Sequence, residues 1–238
     1  MNRVNSKFTG HGMTKTFAPA AERNQQPILD VLRRSLPSEG LVLEIASGTG
    51  QHASFFSKHL TTVRWQPSDA SREALESIRA RVREAKRENL LPPLELDVRA
   101  TPWPLIDAEA IVCINMIHIA PWEATAALFR GAAKILDEAQ PLITYGPYRL
   151  HGAHTAPSNA AFDQSLRARD AEWGVRDVDD LQQLGDETGF DLGERVAMPA
   201  NNMTLIWKQR SDRATTAERT ASRSRPRRGT PIRSLSSG

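Results

Sequence analysis

The sequence predicts an α/β fold: a doubly wound, mostly parallel Rossmann-like sheet that ends in a C-terminal antiparallel hairpin. Three observations lead there. Strand and helix signals alternate from Ile28 onwards, a Gly-x-Gly turn follows the first strand, and two strand-like runs with no helix between them close the domain. Parallel strands need crossover helices, and in open sheets of this kind ligands bind beyond the carboxyl ends of the strands. Functional residues are therefore expected at strand ends.

Each element carries its own signal. Ile28, Leu29, Val31, Leu32 and Leu36 fall at helical spacing after Pro27, and Pro37 stops that helix. Leu41 to Ala46 is a short apolar strand, followed by the glycine turn and a helix through Phe55 and Phe56. Val63 to Gln66 is the second strand, and Ser71 can cap a helix with Leu75, Ile78 and Val82 on one face. Leu94 to Val98 is the third strand and Ile111 to Ile117 the fourth. Pro121 suits the first position of a helix reaching Leu136, and Leu142 to Tyr145 is the fifth strand. Gly146 to Asn159 reads as loop, followed by helical segments near Ala160 to Arg169 and Val178 to Thr188. Leu192 to Ala197 and Thr204 to Lys208, separated by Pro199, Asn201 and Asn202, make the hairpin.

With 238 residues, 39% of them hydrophobic, the chain can bury one sizeable core. The longest apolar run, Ala110 to Ala120, is shorter than a membrane span needs and contains Asn115 and His118. No secretion-type apolar segment opens the chain, and a solitary Cys113 agrees with a reducing compartment, so a cytoplasmic location is expected. Residues 211–238 hold seven Arg against Asp212 and Glu218, a net +5; the chain's total of +3 then leaves residues 1–210 at −2. This Arg/Ser-rich tail reads as disordered, either a nucleic-acid or acidic-partner arm or a solvated extension. Residues 1–16 read as a flexible N-terminus, which leaves one domain from 17 to 210 with a near-neutral surface. A nucleic-acid partner is therefore expected only through the tail, and oligomeric state is not legible.

The turn holds the most informative chemistry. Leu41 to Gly50 reads LVLEIASGTG, an acidic residue near the end of a strand and then a Gly-x-Gly turn into a helix. Gly48 and Gly50 let the backbone approach a ligand where a Cβ would collide. Asp69, nineteen residues past Gly50 and just after the second strand, can accept hydrogen bonds from both ribose hydroxyls of an adenosine ligand. Such a turn also suits a dinucleotide. Glu44 favours a cationic ligand over a pyrophosphate, and the helix ahead of the first strand and the closing strand pair favour S-adenosylmethionine as cofactor.

Several segments extend this into a family resemblance: AAERNQQPIL (20–29), VLEIASGTGQHASFF (42–56), WQPSDAS (65–71), INMIHIAPWEAT (114–125), YGPYR (145–149), APSNAAFDQSLRARDAEWGVRD (156–177) and MPANN (198–202). Together they resemble an uncharacterised family of small methyltransferase-like proteins that includes methyltransferase-like protein 26. The resemblance spans about residues 17–210 and implies the class I methyltransferase fold with S-adenosylmethionine as cofactor; a small-molecule or protein methyl acceptor is expected, though the resemblance does not name one. Carried over by position, Glu44, Ala46, Ser47, Gly48 and Gly50 match the cofactor loop and Asp69 the ribose-binding acid. Asp97 and Val98 match the adenine region, and Asn115 and Met116 the floor of the methyl-donor site. Ala46 stands where the wider superfamily often has glycine, a departure expected to be small.

Other candidates are set beside plainer readings. His118 is a candidate general base, although a histidine at the end of an apolar strand is more often a satisfied core or rim residue. Tyr145 is the second candidate for proton transfer. Tyr148, Arg149 and Asn159 follow the fifth strand over the expected acceptor position, or belong to a rigid Pro-containing loop. Arg23 and Asn24, just before the first helix, are expected either to close the site or to serve as a surface charge and a cap. Cys113 reads as a small buried hydrophobe, and His151 and His154 have no companions for a metal site. The fourth strand ends Asn-Met-Ile-His, without the Asn-Pro-Pro-aromatic run of many amino-group methylases, so an amide nitrogen is a less favoured acceptor. Rival functions are an NAD-dependent oxidoreductase using the same turn and a non-catalytic S-adenosylmethionine-binding scaffold.

Overall fold

The structure, a computed structural model, describes residues 18–210. The expectations for the N-terminus up to residue 16 and for the tail from 211 lie outside these residues. The first helix, α1 (Pro19–Ser35), begins on Pro19 and runs through Pro27. Proline has no N–H to give the carbonyl of Arg23 one turn back. A buried stripe of Ala21, Ile28, Leu29, Val31 and Leu32 on both sides of Pro27 nevertheless keeps the helix whole. Arg23 and Asn24 are therefore inside the helix, not ahead of it.

The doubly wound part follows as β1 (Gly40–Ile45), α2 (Gln51–His59), β2 (Val63–Asp69), α3 (Arg72–Ala85), β3 (Leu94–Glu95), β4 (Ala110–Ile114), α4 (Trp122–Ile135) and β5 (Pro141–Gly146). Ser71 caps α3, its hydroxyl accepting from Ala74 N. β2 is longer than expected and runs through Pro67 to Asp69. β3 is shorter, which puts Asp97 and Val98 beyond its end, and β4 stops at Ile114 because Asn115 turns to φ 62. The expected loop after β5 holds β6 (Tyr148–Leu150) and β7 (Ala153–His154); β6 pairs with β7 and, beyond α5 (Pro157–Arg169), with β8 (Arg176–Asp177), making a separate three-stranded sheet. The chain then continues through α6 (Val178–Thr188), β9 (Phe190–Met198) and, after a single tight turn at Pro199–Asn201, β10 (Asn202–Gln209).

The main sheet has the order β3-β2-β1-β4-β5-β10-β9, parallel except for β10 against β5 and β9. From β1 the chain steps outward through β2 to β3 and returns to β4 on the other side. The carboxyl ends of β1 and β4 thus flank the crevice where such sheets bind ligands. Alternating strand residues feed two cores. Val42, Trp65, Val112 and Ile143 meet α1 and α2 on one face. Leu43, Ile45, Ile111 and Leu142 meet α4 and α6 on the other. No described helix is long and apolar enough to cross a membrane.

The antiparallel pair is fastened by aromatic packing. Phe129 of α4 meets the rings of Phe190 and Trp207 edge-on, at 5.7 and 5.1 Å between centroids. Phe129→Ala should cost about 3–5 kcal/mol in urea denaturation, as for other buried Phe truncations. A loss below about 1 kcal/mol would mean that α4 does not hold this edge of the sheet.

Candidate active site at the carboxyl edge

Three residues after β1 take left-handed backbone angles: Ala46 at φ 53, Gly48 at φ 56 and Gly50 at φ 74. At Gly48 an added Cβ would meet nothing within 4 Å, so the turn faces open space. Ala46 is less innocent than expected, since a Cβ at positive φ is strained and glycine would relieve it. Asp69 closes the turn from the end of β2: Oδ2 accepts from Gly48 N at 2.9 Å and Oδ1 from Ser71 N at 2.8 Å. Each carboxylate oxygen keeps lone-pair capacity for a further donor.

Glu44 does not face this open space. Its carboxyl is 1% exposed, and Oε2 accepts from Trp65 Nε1 at 2.8 Å. The Ser68 hydroxyl donates to its backbone carbonyl at 2.8 Å. Burial pushes the pKa up from 4.5 to about 7, against hydrogen bonds from Trp65 and Ser47 that lower it. The expected ligand-facing charge is therefore a support beneath the turn.

The predicted residues converge instead at a cavity of about 690 Å³ beyond the ends of β4 and β5. Arg23, Asn24, Asn115, His118, Tyr145 and Asn159 all line it, together with Ile119, Phe162 and the hairpin turn. Asn115 keeps its backbone in the ladder by donating N–H to Tyr145 O at 2.9 Å. Asn159 Nδ2 donates to Asn201 O at 2.9 Å and so ties α5 to the hairpin. Tyr145 is buried, which raises its pKa, while a hydrogen bond from Asn24 lowers it. Asn24 in turn meets His52 Nε2 at 2.7 Å, and His52 stacks on Phe56. Sequence reasoning missed His52. A histidine two residues into a helix carries no local signal of a partner 28 positions away.

His118 is 2% exposed, and its Nδ1 is buried with no hydrogen-bond partner. Burial, assisted by the Arg176 charge, holds its pKa down near 4, so the imidazole is neutral at pH 7. Three bonds fix the segment that carries it. Gly174 N donates to His118 O at 3.0 Å, and Arg176 donates from Nε to Ile117 O at 3.0 Å and from Nη2 to Ala120 O at 2.6 Å. Gly146 leaves room for the ring, because a Cβ there would lie 2.4 Å from His118 Cε1. Gly174 and Arg176 belong to segments the resemblance covers, but no sequence spacing links them to His118.

Some candidates lie elsewhere. Tyr148, expected over the acceptor, is fully buried in the core, where its hydroxyl donates to Thr144 Oγ1 at 3.0 Å. Parity explains this: it opens β6 and points its ring against the α4/α6 layer. Asp97 binds the Arg99 guanidinium through both oxygens, at 3.1 and 2.8 Å, and that pairing lowers its pKa. Val98 is buried and lines a separate cavity of about 400 Å³ with Trp103 and Arg130. Ala46 and Met116 pack against the core beside the turn. Burial pushes the Cys113 thiol up to about 12, which suits a hydrophobe and no thiolate nucleophile. Among the described residues no group of three His, Cys, Asp or Glu is placed to hold a metal ion.

This sheet order, with the last strand inserted antiparallel beside β5, is the class I methyltransferase fold. Solved structures agree. A putative O-methyltransferase from Nostoc punctiforme superposes with a TM-score of 0.70 at 15% identity, over 80% of this chain and 57% of that one. Human N-acetylserotonin methyltransferase in complex with SAM gives 0.68 at 12%, over 81% and 53%. An O-methyltransferase family 2 protein from Planctomyces limnophilus, in complex with apigenin, gives 0.66 at 16%, over 80% and 60%. The chain spans between half and three-fifths of their lengths. By sequence, residues 15–209 match the family of proteins of unknown function designated DUF938, and the chain belongs to that family.

Two titrations check this electrostatic picture. A carboxyl whose folded pKa is raised from 4.5 to about 7 contributes stability below pH 4.5 that is lost as pH rises through 7. Glu44→Gln removes that titration, so its stability relative to the parent should rise by about 3 kcal/mol between about pH 5 and 8 in chemical denaturation. A pH-independent difference would mean that Glu44 is ionised throughout. For His118, ring resonances followed by NMR should stay flat from about pH 8 to 5. An inflection near the ordinary 6.5 would show a solvated imidazole.

Proposed function

We propose that this protein is an S-adenosylmethionine-dependent methyltransferase whose acceptor is a hydroxyl group on a small molecule bound in the 690 Å³ cavity. The observation that carries this is the meeting of Asn115, His118, Tyr145 and Asn159 at one cavity, next to an open glycine turn closed by Asp69. The turn fits the cofactor. Its left-handed residues leave free space over Gly48, and Asp69 has oxygens left for ribose hydroxyls. Ala46, Ser47, Gly48, Gly50, Asp69, Asn115 and Met116 are assigned to hold it, with Glu44 supporting the turn from beneath.

When bound, S-adenosylmethionine supplies an electrophilic methyl group on a cationic sulfur. The chain's own residues do the rest. Asn115 and Asn159 offer amides that orient a hydroxyl, and Tyr145, steadied by Asn24, supplies a further hydrogen bond. His118 is neutral and has an unengaged nitrogen, so it can take the proton that the hydroxyl gives up. Rate gain then comes mainly from holding the reacting groups in line within a partly desolvated site. The hydroxyl is supported by the similar O-methyltransferase structures, one of them in complex with apigenin. Kinship with methyltransferase-like protein 26 and a cytoplasmic location belong to the same reading, through the quoted segments and the lone Cys113.

Calorimetric titration tests it. S-adenosylhomocysteine should bind in the micromolar range and NADH should not. Asp69→Ala should weaken S-adenosylhomocysteine about tenfold or more, as loss of a polar contact worth about 1–3 kcal/mol implies. NADH binding without S-adenosylhomocysteine would select the oxidoreductase reading. Tight cofactor binding without methyl turnover on any hydroxyl acceptor would select the scaffold.

A further inference from the structure

We infer that the acceptor is a small organic anion, whose carboxylate pairs with Arg23 at the rim of the cavity while its hydroxyl reaches towards His118. This rests on the methyltransferase reading and adds the charge of the substrate to it. The argument starts from the cavity wall. Its polar side chains are Arg23, Asn24, Asn115, His118, Tyr145, Asn159 and Asn202. Tyr145 has its pKa raised by burial and His118 is held neutral, so among the described residues the guanidinium is the one ionised group in the lining at pH 7. No described Asp or Glu lines the cavity to neutralise it. Among the described residues Arg23 enters no ion pair or hydrogen bond, whereas Arg34 on the same helix is clamped to Glu194 at 2.8 Å.

A second positive charge stands behind the wall. The Arg176 guanidinium donates to the main-chain carbonyls of Ile117, Ala120 and Glu172 and lies over the Trp122 ring, with Asp163 and Asp180 offsetting only part of its charge. With a cationic sulfur in the neighbouring cofactor site, a protonated amine in this space would meet like charge from three directions. An anion would meet opposite charge in a partly desolvated cleft, where such interactions are strongest. Size and surface fit the same class. A volume of about 690 Å³ suits a small molecule, and Ile119, Pro147, Phe162 and Pro199 give a ring or short chain an apolar bed. His118, whose Nδ1 is buried against Gly146 without a hydrogen-bond partner, lines the other end of the cavity.

A carboxylate beside Arg23 has two possible sources, the acceptor or the amino-acid end of the cofactor, and the test separates them. Full-length protein saturated with S-adenosylhomocysteine is titrated with 4-hydroxybenzoate, its methyl ester and 4-hydroxybenzylamine. These share a phenol and differ in charge. The anion should bind at least about tenfold tighter than the amine, with the ester between. Arg23→Gln should bring the anion down to the level of the ester and leave S-adenosylhomocysteine affinity within about twofold. Circular dichroism confirms that the exposed substitution leaves the fold intact. Equal affinities, a reversed order, or no binding by any of the three to the loaded protein would overturn the inference and leave the methyltransferase reading standing. A loss of S-adenosylhomocysteine affinity in Arg23→Gln would overturn it by assigning Arg23 to the cofactor's carboxylate. If S-adenosylhomocysteine does not bind the parent protein, the methyltransferase reading fails first and this inference falls with it.

Discussion

A buried carboxyl at the end of β1 governs the carboxyl edge of the sheet. Glu44 lies in the α1/α2 core, where an unpaired charge would be very costly, and it is tolerated because the Trp65 indole donates to it from β2. Val42 pairs with Trp65 and Glu44 with Pro67, and the Ser68 hydroxyl fastens to the Glu44 carbonyl. These bonds hold the last residues of β1 in register with β2. The chain leaves the strand through a left-handed Ala46, and the turn that follows brings Gly48 N–H onto Asp69. The loop is thus positioned by polar contacts beneath it. The strain at Ala46 is tolerated because those contacts over-determine the backbone on both sides.

The fold was largely legible because alternation and apolar runs are local signals. All the main-sheet strands were anticipated within a few residues, and the hairpin from Pro199 to Asn202 came from turn chemistry alone. What failed was decided by distant packing. Pro27 looked like a helix start, yet the buried stripe on both sides of it outweighs the missing hydrogen bond and carries α1 back to Pro19. Asn115 was expected in mid-strand, but asparagine tolerates φ 62 and ends β4 there. Strands β6 and β8 pair across 28 residues of sequence (Tyr148 with Arg176), and β6 to β8 have too few residues each to show a period.

The site was legible to the same degree and for the same reason. Residues at strand ends, Asn115, His118 and Tyr145, fall on the cavity because topology alone brings the carboxyl ends of parallel strands together. Tyr148 fails, although only three residues further on, because β6 begins a new sheet and reverses which face its ring meets. Glu44 and Asp97 fail differently. Both acids sit where strand ends place them, but each has found a partner inside the protein, Trp65 and Arg99 respectively. A sequence gives the position of a carboxylate more readily than the identity of the donor that occupies it.

In the proposed reaction a weak base suffices. Asn159 gives its amide hydrogens to Thr155 Oγ1 and Asn201 O, which leaves its Oδ1 to accept from a hydroxyl, while Asn115 can donate or accept. His118 is fixed by Gly174 and Arg176, with Gly146 cut back to admit its ring. Burial keeps its proton affinity low, so it is free to accept a proton at neutral pH but binds it weakly. A strong base would be needed if the acceptor had to be ionised before reaction. In a site where a cationic methyl donor draws electron density from the oxygen, proton loss can accompany methyl transfer, and the imidazole need only be unprotonated and correctly aimed. The bonds that fix its segment come from Gly174 and from Arg176 of β8, while α5 lines the cavity through Asn159 and through Phe162, whose ring meets His118 edge-on at 6.0 Å. In the proposed reaction, acceptor binding and base alignment would thus share the segment from α5 to β8, and the cofactor end would rest on β1 and β2.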